Sequence, residues 1–387
     1  MRHLSVIHTR DIAKGTRVIV RADFDVAERG GAIEDDTRIR AHEATIRMLI
    51  NAGAHIRIVA HRGRPVGRRD SALTMAPVSR LLSRILKRPV ASISDPFSPA
   101  AYEKFNHSGE VLLFENIRFW PGEEKNSAAF ARSLARWGDI YVNEAFAVCH
   151  RAHASVVRLP NLLPSYAGLH LAREVAAMER VMKNPRRPLI VLLGGVKIET
   201  KLPLIRRFLR DADYILIGGA LASTIFSLMG LEVGKSRVDR DVRIPLRILT
   251  NRKILLPADV TVTHSLAPGS AHRACRTDEV RRDEYIVDIG FKTRARFAAL
   301  IRGAGTVVWN GPVGLVETPE YAAGTHALAG AMADENIFTV VGGGDTIAAL
   351  RRLRVLKRFD HVSTGGGAML EFLAGKKLPG IEALKKI

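Results

Sequence analysis

Short apolar runs recur along the chain with helix-spaced segments between them, and this alternation restricts the fold more than any other feature. Val18–Phe24, His55–His61, Glu110–Glu115 and Asp139–Asn143 read as strands in the first half. Leu189–Leu193, Tyr214–Ile217, Ile254–Leu256, Val260–Thr263, Thr306–Trp309, Phe338–Val341 and His361–Ser363 do so in the second. Arg38–Asn51, Ser127–Trp137 and Ala295–Arg302 space their apolar residues at the helical period. Strands alternating with helices imply parallel sheets covered on both faces, so the expected class is α/β with Rossmann-like three-layer αβα domains. At 387 residues the chain exceeds what one core usually supports, and two domains are expected. The boundary falls in Gly168–Pro188, where the amphipathic stretch Leu169–Met182 precedes the breaker Asn184–Pro188.

Ligands in open parallel sheets bind beyond the carboxyl ends of the strands, and here those turns carry the most reactive residues. Gly342-Gly343-Gly344-Asp345-Thr346 and Thr364-Gly365-Gly366-Gly367 each precede a helical run. Such turns permit positive φ and let backbone amides approach a phosphate. Thr346 is expected to cap its helix, and Asp345 to hold Mg²⁺ directly or through water. If a helix opens at Gly194-Gly195, Lys197 and Lys201 lie one turn apart on one face near its positive end. Two cations placed there repel unless an anion sits between them. In the first half, Arg21, Arg38, His61, Arg64, Arg118 and Arg151 lie at or near strand ends, and converging guanidinium forks suit a small polyanion. Cys149, His150 and His153 lack the further Cys/His cluster that would complete a tetrahedral metal shell. No Gly-x-x-x-x-Gly-Lys-Ser/Thr motif occurs.

The formal charge of +20 favours anionic ligands: phosphorylated metabolites, nucleic acid or anionic lipid. Residues 1–170 carry 25 Lys+Arg against 17 Asp+Glu and residues 171–387 carry 34 against 22, so the excess is not a cationic tail. No apolar run reaches the roughly 18 residues of a membrane span, and the first residues lack the apolar core of a secretory signal. Two cysteines fit a reducing cytosol, and a cytoplasmic location is expected.

With these segments in place, the sequence resembles the phosphoglycerate kinase family over essentially its whole length. The resemblance rests on Arg21–Val26, Asp36–Ile39, His61–Pro65, Glu115–Phe119, His150–His153, Gly194–Lys201, Val308–Pro312, Gly342–Thr346 and His361–Gly367. It implies a 3-phosphoglycerate-binding domain over 1–170 plus the returning segment 371–387, a nucleotide-binding domain over 184–370, and a helical hinge over 171–183. The implied acid site comprises Arg21, Asp23, Asp25, Arg38, His61, Arg62, Gly63, Arg64, Arg118 and Arg151. Lys197, Lys201, Gly219, Asn310, Glu317, Gly343, Gly344, Asp345 and Thr346 would hold MgATP or MgADP, with Lys201 on the phosphates, Glu317 on the ribose and Asp345 near the metal. Arg38, Lys197, Gly344 and Gly367 are the implied catalytic positions. Phosphoryl transfer of this kind asks for in-line alignment and positive groups, with hinge closure excluding water. The implied partners are small molecules, with no membrane and no nucleic acid required, and the implied state is a monomer.

Several positions depart from the family pattern. Asp25 stands where asparagine is usual and Arg62 where leucine is. Ala147-Val148-Cys149 replaces Gly-Thr-Ala, Ala220 ends a glycine triplet, Phe291 replaces proline, and the stretch before Lys253 is shortened. Asp25 adds repulsion against an acid substrate unless a cation neighbours it. The alternative readings are a paralogous kinase for another carboxylic acid and a non-catalytic basic protein that binds nucleotide or nucleic acid.

Overall fold

The computed structural model describes residues 4–333 and 336–385. The chain forms two compact units, Met1–Ala176 with Lys377–Ile387, and Ala177–Lys376. The fold is α/β, and both units are Rossmann-like.

The first unit contains β1 (Arg17–Arg21), the hairpin β2 (Glu28–Arg29) and β3 (Ala32–Ile33), β4 (His55–Val59), β5 (Val90–Ile93), β6 (Val111–Phe114), β7 (Ile140–Asn143) and β8 (Ser165–Ala167). Six of them pair in the order β5-β6-β4-β1-β7-β8, parallel throughout. Val18, Ile19 and Val20 of β1 are fully buried, as befits a strand covered on both faces. The helix Ala76–Leu86 buries Val78, Leu82, Ile85 and Leu86 at three- and four-residue spacing, so one stripe meets the sheet. The stretch Arg38–Asn51 forms two helices, Thr37–Ala41 and Glu43–Asn51. They meet at His42, whose N–H reaches the Ile39 carbonyl at 3.2 Å in a tightened turn. The C-terminal segment returns to this unit: Leu378, Ile381 and Leu384 are buried, and the Gly380 N–H donates to the Cys149 carbonyl at 2.9 Å. Lys386 and Ile387 lie outside the described residues.

The second unit contains β9 (Leu189–Leu193), β10 (Tyr214–Ile217), β11 (Ile254–Leu255), β12 (Asp259–Thr263), β13 (His272–Arg276), β14 (Tyr285–Ile289), β15 (Thr306–Asn310), β16 (Phe338–Gly342) and β17 (His361–Ser363). Its main sheet runs β11-β10-β9-β15-β16-β17 and is parallel. A separate antiparallel sheet has the order β13-β12-β14. Strands β5, β8, β13 and β14 go beyond the sequence expectation, because their residues are only partly apolar. In β13, His-Arg-Ala-Cys-Arg buries Cys275 alone.

Sequence reading places a helix at Gly194-Gly195, and the structure corrects this. The residues after β9 are turns, and the helix runs Leu202–Asp211 with Lys201 as its N-cap. Gly195 has φ +75°, outside the helical range, Ile198 is buried, and Pro203 sits in the first helical turn, where its missing N–H costs nothing. Lys197 and Lys201 are therefore not one turn apart on a helix face.

The helix Leu169–Lys183 follows β8, and a buried carboxylate organises its start. Glu144 accepts the N–H groups of His170 at 3.3 Å and Leu171 at 2.9 Å. Burial pushes this carboxyl up to about 7 against the pull of those donors. A raised acid stabilises the fold fully below its unfolded value of about 4.3 and loses that contribution as pH rises through its folded value. Urea unfolding of Glu144→Gln should therefore show the variant gaining on the parent as pH climbs to about 7 and levelling off above it. A pH-independent difference would contradict a buried acid here.

Candidate functional site

The carboxyl ends of β1 and β4 gather a cationic cluster in the first unit. Arg21, the last residue of β1, is fully buried. Its Nε donates to Ser155 Oγ at 2.8 Å and its Nη1 to the Ala22 carbonyl at 2.5 Å. Nη2 stands 3.4 Å from His61 Nδ1. Arg38 donates through Nη1 to Asp23 Oδ2 at 3.1 Å. Asp23 is buried, which raises its carboxyl, while Arg38 pulls it back down. Asp25 Oδ1 accepts the Gly63 N–H at 2.8 Å, and its Oδ2 lies 3.9 Å from His61 Nε2. Arg118 donates to the Gly63 carbonyl at 2.8 Å and faces Glu124 at 3.4 Å. Arg64 and Arg151 are exposed and have no ion pair among the described residues; Arg151 lies near enough to His153 to depress its basicity.

Arg62 does not join this cluster. Its guanidinium reaches the Thr74 carbonyl at 2.6 Å, the Val26 carbonyl at 3.4 Å and Glu28 at 2.9 Å, and it is almost fully buried. Its charge is taken up by the Glu28 carboxylate rather than presented to a ligand.

Two residues of this region, Glu123 and His42, carry no signal in the sequence pattern. Glu123 is fully buried and accepts both the hydroxyl and the N–H of Ser155, at 2.6 and 2.9 Å. His42 Nε2 lies 3.0 Å from the Asp23 nitrogen, accepting its N–H and fixing the backbone that presents the Asp23 carboxylate. Only burial, which single-residue inspection does not reveal, marks Glu123 out from its exposed-looking neighbours in Pro-Gly-Glu-Glu.

In the second unit the glycine turns meet backbone to backbone. A Cβ added to Gly194 would lie 2.0 Å from the Pro312 carbonyl oxygen, and one on Gly311 2.3 Å from that of Gly194. Gly219 (φ +61°) opens the helix Gly219–Leu228, and Gly343 (φ +99°) precedes the helix Gly344–Arg352. Gly367 opens the helix Gly367–Leu373 behind Gly366 (φ +46°). One glycine of each triplet uses a positive φ. None of these three helices has a side-chain cap. At the first, the Gly219 and Leu221 N–H groups go to the Val313 and Gly195 carbonyls at 3.0 and 2.9 Å, whereas the first N–H groups of Gly344–Arg352 stay available to an anion. The expected cap is corrected: Thr346 lies inside its helix and its Oγ1 accepts the Gly311 N–H at 2.8 Å, tying two turns together. Asn310 supports the same corner, its Nδ2 donating to the Gly342 carbonyl at 3.0 Å.

Beside these turns lies a cleft of about 390 Å³. Val260, Leu266, Val287, Ile289, Val313 and Leu315 line it together with Gly195, Gly219, Glu317 and Asp345. Apolar walls with a few polar groups and glycine backbone suit a flat aromatic group joined to an anion. Lys201 is nearly buried, and its Nζ lies 3.6 Å from where a Gly195 Cβ would stand. Burial lowers its basicity and the charge of Asp345 partly restores it. Lys197 is exposed, while its backbone carbonyl accepts the Thr200 hydroxyl proton at 2.9 Å. Among the described residues no group of three or more His, Cys, Asp or Glu side chains is placed to hold a metal unaided. A lone Asp345 beside free helix N–H groups is the donor set expected when a divalent ion arrives on phosphate oxygens.

Two consequences can be measured. Gly194→Ala should lose about 1–3 kcal/mol in urea unfolding, because main-chain atoms cannot step aside for a side chain; an unchanged midpoint would mean the turns do not touch. His42 and His61 are held well below their ordinary value by burial and His153 is lowered to about 3, so all three stay neutral in the fold. The unfolded chain takes up protons below about pH 6.5, and stability should fall as pH drops through that value. Unfolding midpoints that rise on acidification across that window would contradict buried neutral imidazoles.

A sequence model of the family described as phosphoglycerate kinase matches residues 9–376. The phosphoglycerate kinase of Thermomicrobium roseum is 43% identical over 377 residues, spanning 95% of this chain and 96% of that one. That of Desulfosudis oleivorans is 40% identical over 390 residues, spanning 98% of each. Among solved structures, phosphoglycerate kinase from Coxiella burnetii superposes with a TM-score of 0.83 at 36% identity, covering 96% of each chain. The enzyme from Pyrococcus horikoshii gives 0.83 at 30% identity, covering 97% of each.

Proposed function

The chain belongs to the phosphoglycerate kinase family, and on that premise we propose that its first unit holds 3-phosphoglycerate and its second unit MgATP or MgADP. The reaction is the reversible transfer of a phosphoryl group between 1,3-bisphosphoglycerate and ADP, giving 3-phosphoglycerate and ATP, a step of glycolysis. The observation that carries the assignment of roles is the surplus of guanidinium over carboxylate at the carboxyl ends of β1 and β4. Arg21, Arg38, Arg64, Arg118 and Arg151 outnumber Asp23, Asp25, Glu123 and Glu124 there. A phosphorylated acid is the ligand that balances such a surplus.

In this reading Arg38, Arg64, Arg118, Arg151 and His61 bind the acid, with Asp23 orienting Arg38, while the Gly63 backbone is engaged by Asp25 and Arg118 instead. Lys201 and the N–H groups at Gly343 and Gly344 take the nucleotide phosphates, the Gly219 N–H being held by the Val313 carbonyl; Asn310 and Thr346 brace their turn, and Glu317 meets the ribose. Asp345 would hold Mg²⁺, which would supply positive charge against the phosphates. Lys197, Arg38, Gly344 and Gly367 stabilise the moving phosphoryl group with positive charge and N–H donors, which is the main demand of such a transfer. No side-chain nucleophile is required, because the attacking oxygen is already anionic. Hinge bending, a cytoplasmic location and a monomeric state belong to the same reading. Arg62 is paired with Glu28 and adds no binding charge, whereas Asp25 is held only by the Gly63 N–H, which leaves its repulsion of an acid in place.

A coupled assay with 3-phosphoglycerate and MgATP should show turnover in the parent chain. Lys197→Ala and Arg38→Ala should each lower kcat on the order of 10² or more, by loss of a transition-state charge. Asp25→Asn should lower the KM for 3-phosphoglycerate a few-fold and leave that for MgATP alone. Near-full activity of both alanine variants would overturn the roles given to Lys197 and Arg38.

A further inference from the structure

A buried polar chain runs from Glu123 to His61 beneath the acid site. The Ser155 hydroxyl has one proton, and it goes to Glu123 Oε1 at 2.6 Å. Its lone pair is then free to accept from Arg21 Nε at 2.8 Å. The Ser155 backbone is held from both sides, its N–H on Glu123 Oε2 at 2.9 Å and its carbonyl under the Tyr141 hydroxyl at 2.8 Å. Glu123, Ser155, Tyr141 and Arg21 are all fully buried, so the guanidinium has no solvent to turn toward. With Nε on Ser155 and Nη1 on the Ala22 carbonyl, Nη2 is aimed at His61 Nδ1, 3.4 Å away.

Arginine has five N–H donors and no acceptor. A ring nitrogen that faces it must therefore offer a lone pair, and the ring's remaining proton must sit on the other nitrogen. Burial together with the charges of Arg21, Arg118 and Arg38 and the neighbouring His153 keeps the His61 ring neutral, Asp25 being the nearest opposing carboxylate. We infer that Glu123, acting through Ser155 and Arg21, holds His61 as its Nε2–H tautomer, so that His61 serves as a neutral hydrogen-bond donor to an oxygen of the bound acid. Nε2 makes no hydrogen bond among the described residues and lies 3.9 Å from Asp25 Oδ2. Arg21 and Glu123 are then positioning residues, and a fully buried Arg21 acts on the ligand through His61. The donor role rests on the acid site proposed above; the tautomer does not.

The test uses the full chain labelled with ¹⁵N-histidine, with the His61 ring signals assigned from a His61→Gln variant and read by long-range ¹H–¹⁵N correlation. The expected result is a protonated Nε2 and a bare Nδ1, unchanged from about pH 5.5 to about pH 8, where an ordinary imidazole would titrate. Glu123→Gln keeps the shape but removes the charge. It should add the Nδ1–H form and raise the KM for 3-phosphoglycerate about tenfold, while the KM for MgATP stays within twofold. An Nδ1–H ring in the parent chain, or a His61 that titrates near its ordinary value, overturns the inference without any variant. So does a Glu123→Gln protein whose ring signals and KM match the parent. Adding 3-phosphoglycerate separates the two readings. An Nε2–H ring whose signals ignore the acid upholds the positioning chain and removes the acid site; an Nδ1–H ring whose signals move does the reverse.

Discussion

Parallel pairing of a strand with neighbours on both sides is the constraint from which both units follow. When β1 pairs with β4 and β7, and β9 with β10 and β15, every strand delivers its chain to the same edge. Order then reverses beside β1 and beside β9, and the departing loops splay apart to leave a crevice. Arg21, His61 and Glu144 are near one another for this reason alone, although more than a hundred residues separate the first from the last. Gly194, Gly311 and Pro312 meet in the second unit by the same rule.

The two crevices then solve different electrostatic problems. The first is built of long cationic side chains that need restraint, and carboxylates supply it: buried Asp23 for Arg38, buried Glu123 through Ser155 for Arg21, half-buried Glu28 for Arg62. Desolvation raises Asp23 and Glu123, and the neighbouring arginines pull both back toward the charged form. Removing either member of such a pair would strand the other. The second crevice relies on main-chain N–H groups at uncapped helix starts, with a single buried lysine beside Asp345.

The sequence made the parallel strands legible because Val18–Val20 and Leu189–Leu193 are continuous apolar runs that admit little else. Strand β13 escaped because an antiparallel sheet exposed on one face tolerates His272, Arg273 and Arg276. The helix misplaced at Gly194-Gly195 shows the limit of counting spacing. A positive φ at Gly195 and a buried Ile198 are tertiary facts, and the nearby Pro203 was the local sign that the helix starts later. For the site, resemblance supplied the arginines and glycines, but not which of them would face a ligand. Arg62 shows this: its neighbour Glu28 is 34 positions away, and nothing in Arg62's own surroundings in the chain announces the pair. Glu123 and His42 were silent for the same reason.

The contact between Gly194 and Gly311 has an evolutionary corollary. Because the two loops touch through peptide groups, that corner of the cleft contains no rotamers and no volume that mutation can trim or enlarge. Drift in the cleft's affinity for a ligand must enter through the walls, at residues such as Val260, Leu266, Val313 and Leu315. Lineages can thus retune how tightly the walls grip while the glycine corner stays put.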